Sequence, residues 1–300
     1  MERTSWTVSP ERKIRCAIIS DAAAEGDDAF AIAHTMLSPR FDIQWISGCH
    51  YGGRSSNESK ESLEKIKALF RHMRCSIKLV EGAGSPGDSG SDACRMIIEE
   101  AMKKDSRPFY LLCMGALTDL AAALKKQPDI AERMTAVWTG GAAYPDGGPE
   151  FNIRADTSAA STVFGSSLPF YQITNQAYLE LGVSFTELEL KLTGPLGRFL
   201  LAQLHSYADS KTAWSSLRSG ETWTLGDNAV PAVLLHKNPY HYTYEDAREV
   251  NADGSYGRVL HSVRKLRVYS HMDSRLILED FFAKVSLHDR KAEDCKIISE

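Results

Sequence analysis

Four acids crowd one short segment, Asp21-Ala-Ala-Ala-Glu25-Gly-Asp27-Asp28, directly after an apolar run that begins at Cys16. Adjacent carboxylates beside a third repel one another unless protons neutralise them or a cation joins them. A hard, oxygen-loving metal is the simplest resolution. The plainer reading is a helix N-terminus, where an Asp caps free amides and favours the dipole; it accounts for one Asp and not for the group. A second set of polar groups follows Thr139-Gly140-Gly141, where Tyr144 precedes a Gly-rich loop that closes on Glu150-Phe151-Asn152. On an extended segment Glu150 and Asn152 face one way. One accepts and the other both donates and accepts, so the pair suits vicinal hydroxyls, although a Gly-rich surface turn would look the same. A late acid, Asp227, follows Trp223-Thr-Leu-Gly226 and opens an apolar run from Ala229 to Leu235. It is either a fourth acid for the cation or, with Asn228, a helix cap beside a packed Trp.

Two histidines lie near these segments. His34 lies within the first helix and reads as a packing residue, whereas His50, beside Gly52-Gly53-Arg54, is a site candidate. Gly82-Ala-Gly-Ser-Pro-Gly87 has glycines in the spacing of a dinucleotide loop, but Pro86 and the residues after it delay any helix, and the segment reads as a plain loop. A haloacid-dehalogenase-like phosphatase would need a second acid two residues after Asp21, where Ala23 stands.

The elements that must position these groups alternate. Strands are expected at Phe41–Ile46, Ile77–Val80, Phe109–Met114 and Ala136–Thr139, and helices at Ser59–Arg71, Ser91–Met102 and Leu117–Leu124. This rhythm predicts an α/β fold: a mainly parallel central sheet flanked by helices, with a Rossmann-like core. In that architecture ligands gather beyond the strand ends, where the acids lie. Later segments read less clearly. A helix is expected at Ala155–Phe164, a strand at Leu168–Thr174, mainly helix at Leu188–Tyr207 with a restart at Gly194-Pro195, polar strand or loop at Tyr240–Arg267, and a last helix at Leu276–Val285. With no repeat and no linker in view, residues 1–300 read as one domain.

Bulk properties exclude some classes. The net charge of -4 leaves no basic footprint for nucleic acid or an anionic membrane. No apolar stretch is long enough to span a bilayer, and Met1 to Pro10 lacks the apolar core of a signal peptide. The six cysteines, Cys16, Cys49, Cys75, Cys94, Cys113 and Cys295, form no Cys-x-x-Cys pair. A reducing, cytoplasmic setting is expected, without a zinc site, and the sequon at Asn57-Glu-Ser59 carries no meaning there.

Taken together, the segments resemble the inosine-uridine nucleoside hydrolase superfamily. Its pattern is a strand-end loop of the type Asp-x-Asp-x-Gly-x-Asp-Asp, a Gly-x-Leu-Thr-Asn segment, a Gly-Gly loop running into Glu-Phe-Asn, and a late Asp at a helix start. The corresponding residues are Asp21 to Asp28, Gly115-Ala-Leu-Thr-Asp119, Gly140-Gly141 through Glu150-Phe151-Asn152, and Asp227, in that order over roughly residues 14 to 235. The resemblance implies Ca²⁺ held by Asp21, Asp28, the Met114 carbonyl and Asp227. It implies ribose contacts from Asp27, Glu150 and Asn152, with Thr139 at a sugar-pocket position usually held by another residue type. It further implies a metal-activated water with Asp21 as general base, an oxocarbenium-like transition state, and a homodimer or homotetramer.

Two departures stand out. Asp21 takes the base position only if the loop is two residues longer than the usual pattern, as in superfamily members with an Asp-Ala-Lys-Asn-Glu loop, which Glu25 matches. Gly226 stands where the inosine-uridine branch has a His that helps protonate the leaving base, so His50, Tyr144 or Trp223 would have to contact the leaving group instead. The function expected is calcium-dependent hydrolysis of an N-ribosyl bond in a small nucleoside or related compound. Metal-dependent ribosyl binding without turnover is the alternative, and a phosphate-directed hydrolase using Arg54 is a third reading.

Overall fold

The computed structural model describes residues 7–73, 75–209, 218–237, 240–261 and 264–297. The first half of the chain runs β1 (Ile14–Ser20), α1 (Asp28–Leu37), β2 (Phe41–Gly48), α2 (Glu58–Met73), β3 (Lys78–Glu81), α3 (Asp92–Ala101), β4 (Phe109–Met114), α4 (Thr118–Lys126) and β5 (Met134–Thr139). The second half continues with α5 (Phe151–Ala155), α6 (Thr157–Phe164), β6 (Phe170–Ile173), α7 (Asn175–Tyr178), β7 (Gly182–Ser184), α8 (Phe185–Lys191) and α9 (Pro195–Asp209). Then come β8 (Arg218–Ser219), β9 (Thr222–Thr224), α10 (Ala229–Leu235), β10 (His241–Asp246), β11 (Arg248–Val250), β12 (Tyr256–Val259), β13 (Lys265–His271) and α11 (Ser274–Ile297).

The main sheet has the order β10-β13-β6-β5-β4-β1-β2-β3, parallel throughout except for the antiparallel edge pair β10 and β13. Six of its strands, in the order β3-β2-β1-β4-β5-β6, follow the doubly wound pattern, and the order reverses between β1 and β4. Parallel strands covered on both faces read as continuous apolar runs, and every residue of β1 is buried. Alternate side chains feed two cores. Cys16 and Ile18 join Phe30, Leu69, Leu200 and Phe281 on one face, while Ala17 and Ile19 join Ile97, Leu120 and Val163 on the other. The buried guanidinium of Arg15 is paired with Glu100 and Asp105, each at 3.1 Å.

The α/β architecture expected from the alternation is the one observed, and the helix over Thr118–Lys126 and the strand over Phe109–Met114 sit where the periodicity placed them. Several later boundaries differ. The helix expected over Ala155–Phe164 is two, because Asp156 leaves helical geometry and caps the second by accepting from the Ala159 N–H at 2.9 Å. The segment Leu188–Tyr207 is broken between Lys191 and Pro195. The polar Tyr240–Arg267 stretch forms β10, β11, β12 and the start of β13, and the last helix runs on well beyond Val285. Residues 82–91 are loop, ended by Ser91 Oγ accepting from Cys94 N–H. Among the described residues no helix is long and apolar enough to cross a membrane. The start of the chain, residues 1–6, and the side chain of Cys295 lie outside the described residues.

Candidate active site

The order reversal in a doubly wound sheet opens a crevice beyond the carboxyl ends of the strands. Here β1 delivers Asp21 to that crevice, β4 delivers Met114, and β5 delivers Thr139. The acid loop between β1 and α1 is clamped from several sides. Ala24 N–H donates to the Asp21 carbonyl at 2.7 Å, Ala23 N–H to Ser62 Oγ at 3.3 Å, and Tyr207 Oη–H to the Ala22 carbonyl at 3.0 Å. Gly26 packs so closely on α9 that a Cβ there would lie 2.7 Å from Leu204.

Asp27, Asp28 and Asp227 converge: each offers a carboxylate oxygen, and these atoms lie within 4.8 Å of one another. Asp227 arrives from the far end of the chain on a short 3-10 turn, Gly226–Asn228, and its N–H donates to Asp27 Oδ2 at 3.2 Å. Neither Asp27 nor Asn228 caps its helix through the side chain, so the capping explanation of these groups does not describe the geometry. Ser20 Oγ–H donates to Asp28 Oδ1 at 2.5 Å, and Thr139 Oγ1–H to Asp227 Oδ1 at 2.7 Å. Asp21 lies beside the trio, and its Oδ2 is buried without a hydrogen-bond partner. Its N–H points to the Met114 carbonyl at 3.4 Å.

The electrostatics are those of acids confined together. Burial first, and then the charges of Asp227, Asp27 and Glu25, push Asp21 well above the usual carboxylate range. Burial and the neighbouring acids do the same to Asp28 and Asp227. Asp27 is pushed up by burial to about 6, held back by hydrogen bonds from backbone N–H groups. The strongest charges acting on these acids are the other acids. An all-oxygen donor set, buried and carrying an orphaned carboxylate oxygen, fits a hard divalent cation such as Ca²⁺.

Two cavities meet here. The inner one, about 40 Å³, is bounded by Asp21, Asp27, Asp28, Asp227, Thr139 and Asn152, with Glu25, Glu150, Phe151 and Tyr178 also on its wall. The outer one, about 350 Å³, shares Glu25, Glu150, Phe151 and Tyr178 and adds Tyr51, Arg54 and Arg154. A water needs roughly 10–15 Å³ of such space, so the inner cavity suits an ion with a water or two, and the outer chamber a ring system. Glu150 is fixed rigidly: Oε2 accepts from Gly141 N–H at 2.7 Å and Ile153 N–H at 3.0 Å, and Oε1 from Tyr178 Oη–H at 2.9 Å. The first of these bonds depends on Gly141, whose φ of +75° lies in the left-handed region. Asn152 Nδ2–H donates to the Thr139 carbonyl at 2.9 Å.

Three expected contacts lie off both cavity walls. His50 is fully buried with both ring nitrogens engaged. Gly52 N–H donates to its Nδ1 at 3.1 Å, so Nε2 carries the proton and donates to Thr118 Oγ1 at 2.8 Å, which in turn donates to Asp156. It braces two loops and has no nitrogen left for a ligand. Trp223 turns into the core, edge-on to Phe185 at 6.4 Å, because alternation along β9 points it inward. Tyr144 packs on Tyr256 at 4.7 Å. Asp119 is likewise structural, accepting from Ala83 N–H and Ser91 Oγ–H, with burial raising it to about 6. Sequence reading missed Ser20, Phe151 and Tyr178 as parts of the site. Only Phe151 carried a signal, lying inside Glu-Phe-Asn; Asn175-Gln-Ala-Tyr178 has no recognisable pattern.

Fold and site together define a doubly wound enzyme whose crevice holds a carboxylate-rich, oxygen-donor pocket. The model of the inosine-uridine preferring nucleoside hydrolase family matches residues 18–279. The chain belongs to that family and is a hydrolase acting on N-glycosyl compounds. It is 27% identical over 239 residues to the non-specific ribonucleoside hydrolase RihC of Escherichia coli, covering 68% of this chain and 76% of the relative. Its fold is similar to that of a purine-preferring ribonucleoside hydrolase from Gardnerella vaginalis (TM-score 0.75, 19% identity, 92% of this chain and 99% of that one). It is also similar to that of an inosine-uridine preferring nucleoside hydrolase from Bacillus anthracis (TM-score 0.66, 16% identity, 92% and 99%).

Proposed function

We propose that the protein hydrolyses the N-glycosidic bond of a ribonucleoside or related ribosyl compound with Ca²⁺ in the inner cavity. The observation that carries this reading is the convergence of Asp27, Asp28 and Asp227, with Asp21 orphaned beside them, at the switch point of the sheet. Asp28 and Asp227, with Asp21 and the Met114 carbonyl, would hold the cation, and Asp27, whose oxygen lies in the same cluster, would stand between it and the ribose. When bound, the cation lowers the pKa of water and so supplies a nucleophile near neutral pH. Asp21 takes the proton as general base. Asp27 and Asn152 bind ribose hydroxyls, and Glu150, locked by two backbone N–H groups and Tyr178, sets the height of the sugar. Thr139 holds Asp227 in place and adds a hydroxyl at the sugar's edge. The crowded carboxylates favour the positive charge that develops on the ring in the transition state. The five described thiols are all free, which supports a reducing compartment such as the cytoplasm.

The test is calorimetric titration of chelator-treated protein with Ca²⁺, paired with reducing-sugar release from inosine and uridine. Expected are one tight site, activity lost on chelation and restored by Ca²⁺, and a drop of roughly 10²–10⁴-fold in kcat for Asp21→Asn. Cleavage that persists unchanged in chelator would overturn the reading.

A further inference from the structure

The outer chamber is graded in charge from floor to lip. Its two guanidinium groups, Arg54 and Arg154, are exposed, where solvent and salt screen them. Its two carboxylates, Glu25 and Glu150, are buried. Glu150 has spent both oxygens on Gly141, Ile153 and Tyr178. Glu25 has spent neither: both Oε1 and Oε2 are buried without a hydrogen-bond partner, on a side chain only 8% exposed. Glu25 also lies on the wall of both cavities, at the neck where the acid-lined inner cavity opens into the outer chamber.

Apart from Glu25, whose carboxyl is pushed well above the usual range by burial and then by the charges of Asp27 and Glu150, the same neck is poor in proton donors for a departing base. No residue described as lining either cavity is a His or a Lys. The Tyr178 proton is committed to Glu150, and that of Tyr51 to Glu61 at 2.7 Å. Gly226 offers no side chain, and a Cβ added there would meet the Tyr178 ring at 2.9 Å. A neutral purine or pyrimidine leaves as an anion unless it is protonated. A ring joined to the sugar through a quaternary nitrogen needs no proton, because bond cleavage itself neutralises it.

We propose that the preferred substrate is an N-ribosylated heteroaromatic cation of the N-ribosylpyridinium class, seated in the outer chamber with its charge facing Glu25. The proposal rests on the N-glycosidic hydrolysis read above and specifies its leaving group. Tyr51, Phe151 and Tyr178 give the chamber aromatic surface on which such a cation is favoured. In the reaction the water oxygen bonds to C1′ and the C1′–N bond breaks. The electron pair of that bond returns to the ring nitrogen and cancels its positive charge. The water proton passes to Asp21. The products are ribose and a neutral pyridine-type base.

Three ribosides test this on the Ca²⁺-loaded protein: nicotinamide riboside, inosine, and 4-nitrophenyl riboside, whose leaving group needs no protonation. Expected is a kcat/KM for nicotinamide riboside at least 100-fold above that for inosine, with Glu25→Gln lowering that ratio at least tenfold. Calorimetry with 1-methylnicotinamide, which has no bond to cleave, should show binding that Glu25→Gln weakens at least tenfold. Equal or better hydrolysis of inosine by the unaltered protein overturns the proposal. So does a Glu25→Gln loss larger for inosine than for nicotinamide riboside, the signature of a proton donor. Cleavage of 4-nitrophenyl riboside without preference for the pyridinium defeats this inference alone, whereas failure to cleave any of the three defeats the hydrolytic reading and this one with it.

Discussion

The two ends of α1 treat buried charge in opposite ways. At the N-terminal end, Asp27 and Asp28 face Asp21 and Asp227 with no counter-charge among the groups that act on them most strongly. Toward the C-terminal end, His34 is equally buried but fully partnered. Asn228 Nδ2–H donates to its Nδ1 at 3.3 Å, so its Nε2–H donates to Asp280 at 2.9 Å. Asp280 also meets His236 at 3.3 Å and the ammonium of Lys284. Burial alone would raise Asp280, but hydrogen bonds from His236 and His34 and the charge of Lys284 hold it well below the usual range. One cluster neutralises itself and therefore serves the fold. The other does not, and is completed only by something from outside. Asn228, next to Asp227, links the two.

The largest break in this contrast comes from Asp28→Asn. It should lower kcat/KM about 10³-fold, roughly 4 kcal/mol of transition-state stabilisation, while raising the melting temperature of the chelated protein, because one desolvated like charge is removed. A lower melting temperature in calorimetry would show that the acids are not strained against one another. Asp280→Ala should do the reverse. It should destabilise by about 2 kcal/mol, below the usual cost of breaking a buried pair because Asp280 is 27% exposed. That corresponds to a fall of roughly 4–8 °C, with Ca²⁺ affinity by calorimetry changed by less than about threefold.

A pH series sharpens the comparison. Burial pushes His34 down to about 4, against the pull of Asp280. A His with a depressed folded pKa contributes stability that is present above its unfolded value of about 6.5 and lost as pH falls toward 4. The stability gap between the unaltered protein and His34→Asn should therefore be widest near pH 7 and narrow steadily toward pH 4.5, as read by urea unfolding. The smallest effect is expected at the chamber wall. The buried carboxylate of Glu58 accepts N–H groups from Tyr51 and Gly53, both at 2.8 Å, and from Arg54 and Ser55 at 2.6 and 3.2 Å. Glu58→Gln loosens that loop, and KM should rise about three- to tenfold with kcat within about twofold.

Much of the first half was legible because its physics is local. Buried parallel strands such as Phe109–Met114 are short apolar runs, and helices such as α3 carry their period and cap in sequence. The second half was less so, because most of its strands lie at an edge or in small sheets; β6, inside the main sheet, is the exception and falls within the expected Leu168–Thr174. In β10, Tyr242 and Tyr244 stay exposed, and the guanidinium of Arg267 packs over Tyr242 at 4.7 Å and Tyr171 at 4.1 Å, contacts no alternation rule announces. Within the site, acids and amides were legible by type and position. His50 and Trp223 misled because type does not fix direction: the folded chain spends both nitrogens of one on loop bracing and turns the other into the core.

What the sequence determined by itself was the set of carboxylates at strand ends and helix starts, since periodicity and loop composition fix where such groups leave the regular structure. Which of them would stand unpartnered was decided only by tertiary structure. Asp27 meets a residue 200 positions away, and Glu25 finds no partner at all. Burial and pairing are properties of the folded neighbourhood, built from segments whose mutual distance no local pattern encodes.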